Sequence, residues 1–177
     1  MKKILAFTLV IILALSLCAC ARRTETETVE YKKLSGAVGT PDEVINSKTY
    51  EDTLEGLCKY MEDKNCIYHL PVSSADEKFS DPVVMSASVI GADKGYKFSF
   101  EYDGELIVTE LYSYSDTSNK WYQQAVKDGK ITISEDIDNG TFDVIVNGKY
   151  LMIYNDSDNR SARESQVVEI FKSFKIQ

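Results

Sequence analysis

The stretch that most constrains this chain runs from Tyr96 to Tyr114, where the side-chain period is two. Lys97-Phe98-Ser99-Phe100-Glu101-Tyr102 alternates polar with apolar, Asp103-Gly104 follows, and Glu105 to Tyr114 returns. An Asp-Gly link between alternating runs predicts a two-residue hairpin, because both residues tolerate the positive φ angles such a turn requires. Pairing about that turn sets Phe100 opposite Ile107 and Tyr96 opposite Leu111, with Lys97 opposite Glu110 on the other face. Apolar meets apolar and charge meets opposite charge, so an antiparallel sheet is written into the middle of the chain.

A second hairpin is predicted from Thr141 to Tyr154, turning at Asn147-Gly148 as a type I′ turn, with Phe142 facing Ile153 and Val144 facing Leu151. Helical spacing appears around these strands. Leu54, Leu57, Cys58 and Met61 recur at i, i+3, i+4 and i+7 and predict a helix from about Tyr50 to Asp63, with Glu51, Asp52, Glu55, Lys59 and Glu62 on its wet side. Thr40-Pro41-Asp42-Glu43 carries an N-cap, a first-position proline and a carboxylate at N3, predicting a short helix there. Cys66 to Leu70 reads as a short strand. Asp81-Pro82 and Gly91 bracket a helix over Val83 to Ile90, with a strand left open by the β-branched residues. A helix from about Ser118 to Lys127, stopped near Gly129, should turn Trp121, Tyr122 and Val126 inward, and Lys130 to Ser134 is a short strand. Ser161 and Glu164 form a capping box for a last helix striped by Val167, Phe171 and Phe174. The sum is an α+β domain over residues 40–177: an antiparallel sheet of about four or five strands with helices packed on at least one face.

The amino end has a different character. Lys2 and Lys3 precede an apolar run from Ile4 to Leu17, broken only by Thr8 and Ser16. About 14 apolar residues fall short of the roughly 20 that span a bilayer as a helix, so the run reads as a secretory leader. Leu17 at −3, Ala19 at −1 and Cys20 at +1 resemble the lipobox of bacterial lipoproteins. Cys18 fits worse as the acceptor, since it would put the bulky Leu17 at −1. The resemblance implies that residues 1–19 are removed, that Cys20 receives a diacylglyceryl group, and that its new amino group can take a further acyl chain such as palmitate. It implies a protein anchored in the cell membrane on the extracytoplasmic face. The competing reading is an ordinary signal peptide with an incidental cysteine.

Residues 20–39 then form a lipidated, flexible tether, because the segment from Arg22 to Gly39 has few large apolar side chains to set against the entropy of ordering. Arg22, Arg23, Lys32 and Lys33 are interleaved with Glu25, Glu27 and Glu30, which cancels much of any attraction to headgroups. Cleavage leaves 158 of the 177 residues, enough for one domain with a core. Loss of Lys2 and Lys3 takes the net charge from −8 to −10, which repels nucleic acid and anionic lipid and leaves membrane attachment to the acyl chains. Ile90-Gly91-Ala92 leading to Gly95-Tyr96-Lys97-Phe98, Val146-Asn147-Gly148 and Phe171-Lys172-Ser173-Phe174 resemble small clostridial-type lipoproteins of unassigned function, over roughly residues 80–175. That resemblance implies a fold and carries no activity.

Candidate chemistry is sparse. Cys58 and Cys66 are either a disulfide pair or two buried thiols. His69 would complete a three-ligand metal set with them, but the spacing is unlike compact zinc patterns. A Cys–His nucleophile pair lacks an orienting third residue. Glu135-Asp136-Ile137-Asp138-Asn139-Gly140 and Asn155-Asp156-Ser157-Asp158-Asn159 are rich in oxygen ligands without matching the EF-hand template, so they read as solvated turns with at most weak, adventitious Ca²⁺ binding. No nucleophile elbow, zinc-protease motif, phosphate loop or dinucleotide fingerprint is present, and no cofactor is expected. Paired carboxylates stay open as a catalytic device. Tyrosine is plentiful, at 11. If helices cover one sheet face only, Ile145, Tyr150, Met152, Tyr154, Tyr112 and Tyr114 form a candidate binding surface on the other. The alternative is that the helix bearing Trp121, or the last helix, covers that face too. The expectation is a lipid-anchored protein with a non-catalytic binding or interaction domain at the cell envelope, engaging an envelope protein or a small ligand. The alternatives are a small carboxylate-based hydrolase and a metal or redox module at Cys58, Cys66 and His69.

Overall fold

A computed structural model describes residues 31–69, 83–84, 87–133, 140–156 and 161–175. Cys20, residues 1–30, Asp81-Pro82 and most of both acidic loops lie outside the described residues. In chain order the strands are β1 (Lys32–Leu34), β2 (Val83–Val84), β3 (Lys94–Tyr102), β4 (Glu105–Ser113), β5 (Lys130–Thr132), β6 (Thr141–Asp143), β7 (Ile145–Asn147) and β8 (Tyr150–Asp156). The helices are α1 (Leu54–Asp63), α2 (Lys120–Asp128) and α3 (Ser161–Ser173), with a 3₁₀ turn at Ala87–Ile90.

The central hairpin forms in the expected register, pairing Phe100 with Ile107, Tyr96 with Leu111 and Lys97 with Glu110. Asp103 and Gly104 both take positive φ, 51° and 84°, which is the backbone their side chains permit. β4 then pairs antiparallel with β8, and β8 with β7, giving the sheet order β1-β3-β4-β8-β7 with β2 also on β3. β5 and β6 make a separate two-stranded sheet. The architecture is α+β, as the sequence predicts.

Both sheet faces are covered. On the first, α1 and α3 press Leu57, Tyr60, Met61, Val167, Ile170 and Phe171 onto Phe98, Phe100, Ile107, Leu111 and Met152. On the second, the 3₁₀ turn, α2 and β5 close over Tyr112, Tyr114 and Leu151. The apolar stripe of α1 is the expected one: Leu54, Leu57, Cys58 and Met61 are all buried. Thr53 caps that helix, its hydroxyl accepting from Gly56 N at 3.1 Å. Arg163 reaches back from α3, donating Nη2 to Asn65 O at 3.1 Å while its guanidinium lies 4.0 Å from the Tyr102 ring centre.

Several expectations are corrected. The folded part reaches back to Lys32: β1 lies inside the expected tether and pairs parallel with Phe100–Tyr102. Thr40–Glu43 is not helical, because the segment is held extended beside α1 by Gly39 N to Lys64 O at 2.8 Å and Asp42 N to the Tyr60 hydroxyl at 3.1 Å. Residues 66–69 are not a strand, although Ile67 and Tyr68 are buried. The helix over Val83 to Ile90 is replaced by β2 and the 3₁₀ turn, the outcome that the β-branched residues favour. In α2 Tyr122 and Ala125 are buried and Trp121, as expected, packs partly buried against the same core, whereas Val126 is 56% exposed, one helical step off the buried line.

The second hairpin is shifted by two residues. Val146 faces Leu151 and Asn147 faces Tyr150, so Gly148-Lys149 is the turn and only Gly148 has positive φ. Asn147 stays in the strand because its side-chain amide donates to Phe171 O at 2.7 Å and Phe174 O at 2.8 Å, satisfying carbonyls at the end of α3. Phe142 leaves this ladder altogether and pairs with Ile131 in the small sheet.

Candidate binding pocket

The six residues expected to form one aromatic surface do not form it. Tyr150 and Met152 are buried under α1 and α3 with Ile145 and Tyr154 packed against them, whereas Tyr112 and Tyr114 belong to the opposite core. The register explains the split: Leu111, not Tyr112, faces Met152, so Tyr112 shares its side of the sheet with Leu151. Two of the hydroxyls are tied down within the fold as well. Tyr150 donates to Asp52 Oδ1 at 2.8 Å and Tyr114 to Ile90 O at 3.2 Å. Burial pushes the Tyr114 phenol up to about 12.

Cys58 and Cys66 are both buried free thiols, so the disulfide alternative is not the one realised. Burial pushes the Cys66 thiol up to about 12, with Arg163 and Lys64 opposing weakly, and burial raises Cys58 further. Neither is poised as a thiolate nucleophile or metal ligand. His69 points elsewhere: it is on the surface, its Nδ1 2.9 Å from Glu62 Oε1. Among the described residues no group of three metal-ligating side chains converges.

Two concavities stand out among the described residues. The first is a shallow polar groove of about 410 Å³ where the start of α1 meets the sheet. Asp52 sits there between Lys149 Nζ and the Tyr150 hydroxyl, both at 2.8 Å. Glu55 accepts from Lys94 and, at 2.8 Å, from the Tyr96 hydroxyl. The Lys149 hydrogen bond holds the Asp52 carboxyl below its ordinary range. For Glu55, burial acts upward, but the bonds from Lys94 and Tyr96 outweigh it and the net shift is down. Both carboxylates stay ionised at neutral pH, so neither is kept protonated in the way a general acid must be.

The second concavity is apolar and lies on the face under the 3₁₀ turn, with a volume of about 320 Å³. Its walls come from three places far apart in sequence: Val89 and Ile90 of the 3₁₀ turn, Ile131 and Ile133 at β5, and Phe142 of β6. Ile153 of β8 adds to the floor, where the charged groups among the described residues are Lys97 and Glu110 of the central hairpin. Lys97 Nζ is 3.2 Å from Glu110 Oε1, and the Tyr112 hydroxyl donates to Glu110 Oε2 at 2.6 Å. Burial and the adjacent Glu110 carboxylate raise the Tyr112 phenol well above its ordinary value, so it remains a donor. Gly95 makes room for this arrangement, since a Cβ there would fall 2.6 Å from two carbons of the Tyr112 ring. Val89, Ile133 and Phe142 are 48%, 41% and 38% exposed, a cluster of apolar side chains at the mouth.

No protein family, characterised protein or solved structure matches this chain. The pocket is therefore read from its own geometry. Sequence reasoning placed Lys97 opposite Glu110 but not at the bottom of a cavity, because Ile131, Ile133 and Phe142 join them only through the small second sheet. No helix among the described residues is long and apolar enough to cross a membrane.

Proposed function

We propose that this chain is a lipid-anchored protein on the extracytoplasmic face of the cell membrane, tethered through Cys20, whose domain binds a small ligand without catalysis. The observation that carries the binding half is the apolar pocket of about 320 Å³ with a small polar cluster at its floor. Small-molecule sites are commonly concavities of about 300–1,000 Å³, mostly apolar, with few polar groups to orient the ligand. The leader and lipobox-like Leu17-Cys18-Ala19-Cys20 support the anchored half. An anchor beside the bilayer would place an apolar pocket next to a plentiful source of apolar molecules.

The ionised state of Asp52 and Glu55 favours binding over a carboxylate-based hydrolase. The buried thiols of Cys58 and Cys66, with His69 outside, favour it over a metal or redox module. Native mass spectrometry of the full protein, after exposure to an organic extract of membranes, should show a non-covalent adduct that Val89→Trp removes by filling the mouth. An adduct indifferent to that substitution sinks the pocket, and turnover of envelope substrates that Asp52→Asn or Glu55→Gln abolishes sinks the non-catalytic reading. For the anchor, the mature protein from membranes should begin at Cys20 and carry acyl mass.

A further inference from the structure

The floor of the pocket points to the kind of molecule it accepts. We infer that, if the pocket is the binding site proposed above, its ligand is an uncharged, largely apolar molecule whose one polar end is a hydrogen-bond acceptor held by Lys97. Among the described residues the walls supply Val89, Ile133 and Phe142 and no charge. At the floor, the lysine that would recruit an anion is already paired with Glu110 Oε1 at 3.2 Å. Glu110, which would recruit a cation, has its second oxygen taken by the Tyr112 hydroxyl at 2.6 Å.

An entering anion would give up its hydration for a cluster whose charge is zero, and would meet the Glu110 carboxylate beside the Lys97 ammonium. Desolvating an ion without a compensating opposite charge is unfavourable, so a charged ligand is selected against. An uncharged acceptor does not incur that penalty. An ammonium carries three N–H donors, so the pairing with Glu110 leaves donor capacity on Nζ of Lys97, which lines the cavity. A hydroxyl, ether or carbonyl oxygen satisfies it. Glu110 thus works as a counter-ion that tunes the pocket against acids.

The test uses two dyes of one shape that brighten in apolar surroundings: the uncharged N-phenyl-naphthylamine and the anionic anilinonaphthalene sulfonate. On the full protein the uncharged dye should bind on the order of tenfold more tightly, a difference of about 1.4 kcal/mol. Glu110→Gln should tighten the sulfonate by a similar factor while leaving the uncharged dye within about twofold. A naphthyl ketone dye such as prodan, uncharged but carrying a carbonyl acceptor, should lose on the order of tenfold in affinity with the double variant Lys97→Met and Glu110→Met, while N-phenyl-naphthylamine, which has no acceptor, stays within about twofold. A ketone that binds the double variant as tightly as the unaltered protein overturns the role given to Lys97. Equal or tighter binding of the sulfonate by the unaltered protein, or no gain with Glu110→Gln in a protein that remains folded, overturns the inference while leaving a binding pocket in place. Binding of neither dye, or binding of both that survives Val89→Trp, removes the pocket itself and the inference with it.

Discussion

The side-chain amide of Asn147 holds the turn between β7 and β8 in place by bonding the carbonyls that end α3. Asn147-Gly148 is a strong turn signal, yet the hairpin turns one residue later because Asn147 is drawn to Phe171 O and Phe174 O. A side-chain bond to a carbonyl distant in sequence cannot be seen in the turn itself. Asn147→Ala should remove the amide donor from both carbonyls, leaving Phe171 O with only the 3.3 Å bond from Phe174 N, and cost about 1–2 kcal/mol in denaturant unfolding. A neutral result would mean that the amide does not fix the register. Gly95 is the other such position, since its missing side chain is what lets the Tyr112 ring lie across β3. Gly95→Ala should destabilise by about 1–3 kcal/mol through overpacking, and the penalty should shrink in combination with Tyr112→Ala. A double-mutant cycle with strictly additive effects would refute that contact.

At the scale of elements, what was local was legible and what depended on distant partners was not. The Asp103-Gly104 hairpin came out in register because its turn chemistry and its alternation agree within twenty residues. The stripe of α1 was equally plain, as Leu54, Leu57, Cys58 and Met61 need only one helical face. The Thr40-Pro41 helix signal lost to tertiary bonds from Lys64 and Tyr60. The tyrosines of β4 were assigned to the wrong face because the pairing of β4 with β8 is a long-range choice that neither strand announces. The pocket draws on the 3₁₀ turn, the central hairpin, β5, β6 and β8, so it is hidden from local pattern even though its Lys97–Glu110 pair is in view.

The same scale carries a pH prediction. Asp52 and Glu55 fasten the start of α1 to β8 and β3, and both carboxyls are held below ordinary values of 3.8 and 4.5. Their contribution is complete above those ordinary values and is lost as pH falls through the lower folded ones, since the unfolded chain takes up the protons first. Hydrogen exchange should therefore show the first turn of α1 opening below about pH 4. Asp52→Asn should flatten that dependence, and a helix end equally protected at pH 3 and pH 7 would contradict it.

For the whole molecule, two covered faces explain why an acidic, tyrosine-rich domain need not expose its aromatics: Tyr112, Tyr114 and Tyr150 are all buried in two separate cores. Among the described residues, three of the six exposed large hydrophobic side chains, Val89, Ile133 and Phe142, gather at the mouth of the pocket, while Val44, Leu106 and Val126 are exposed away from it. Sequence alone could count the tyrosines but could not assign them to layers, because layer order follows from strand order.

The short parallel strand at the amino end has a mechanical consequence. β1 is stitched to β3 by three residue pairs, and behind it Asn65 clips Ser35 O and Ala37 O before Gly39 is fastened to Lys64. Tension entering through the amino end meets this seam first, drawing the partly buried Leu34 and Val38 from the margin of the first core before it reaches the buried residues of either core. Peeling residues 32–39 would free roughly 25 Å of chain at about 3.4 Å per residue. Single-molecule pulling from that end should show a small first lengthening of this size, well before the main rupture, and a trace with only one event would refute the seam. A domain held there can yield to a sudden load by paying out slack, and recover its grip afterwards, without ever opening its interior.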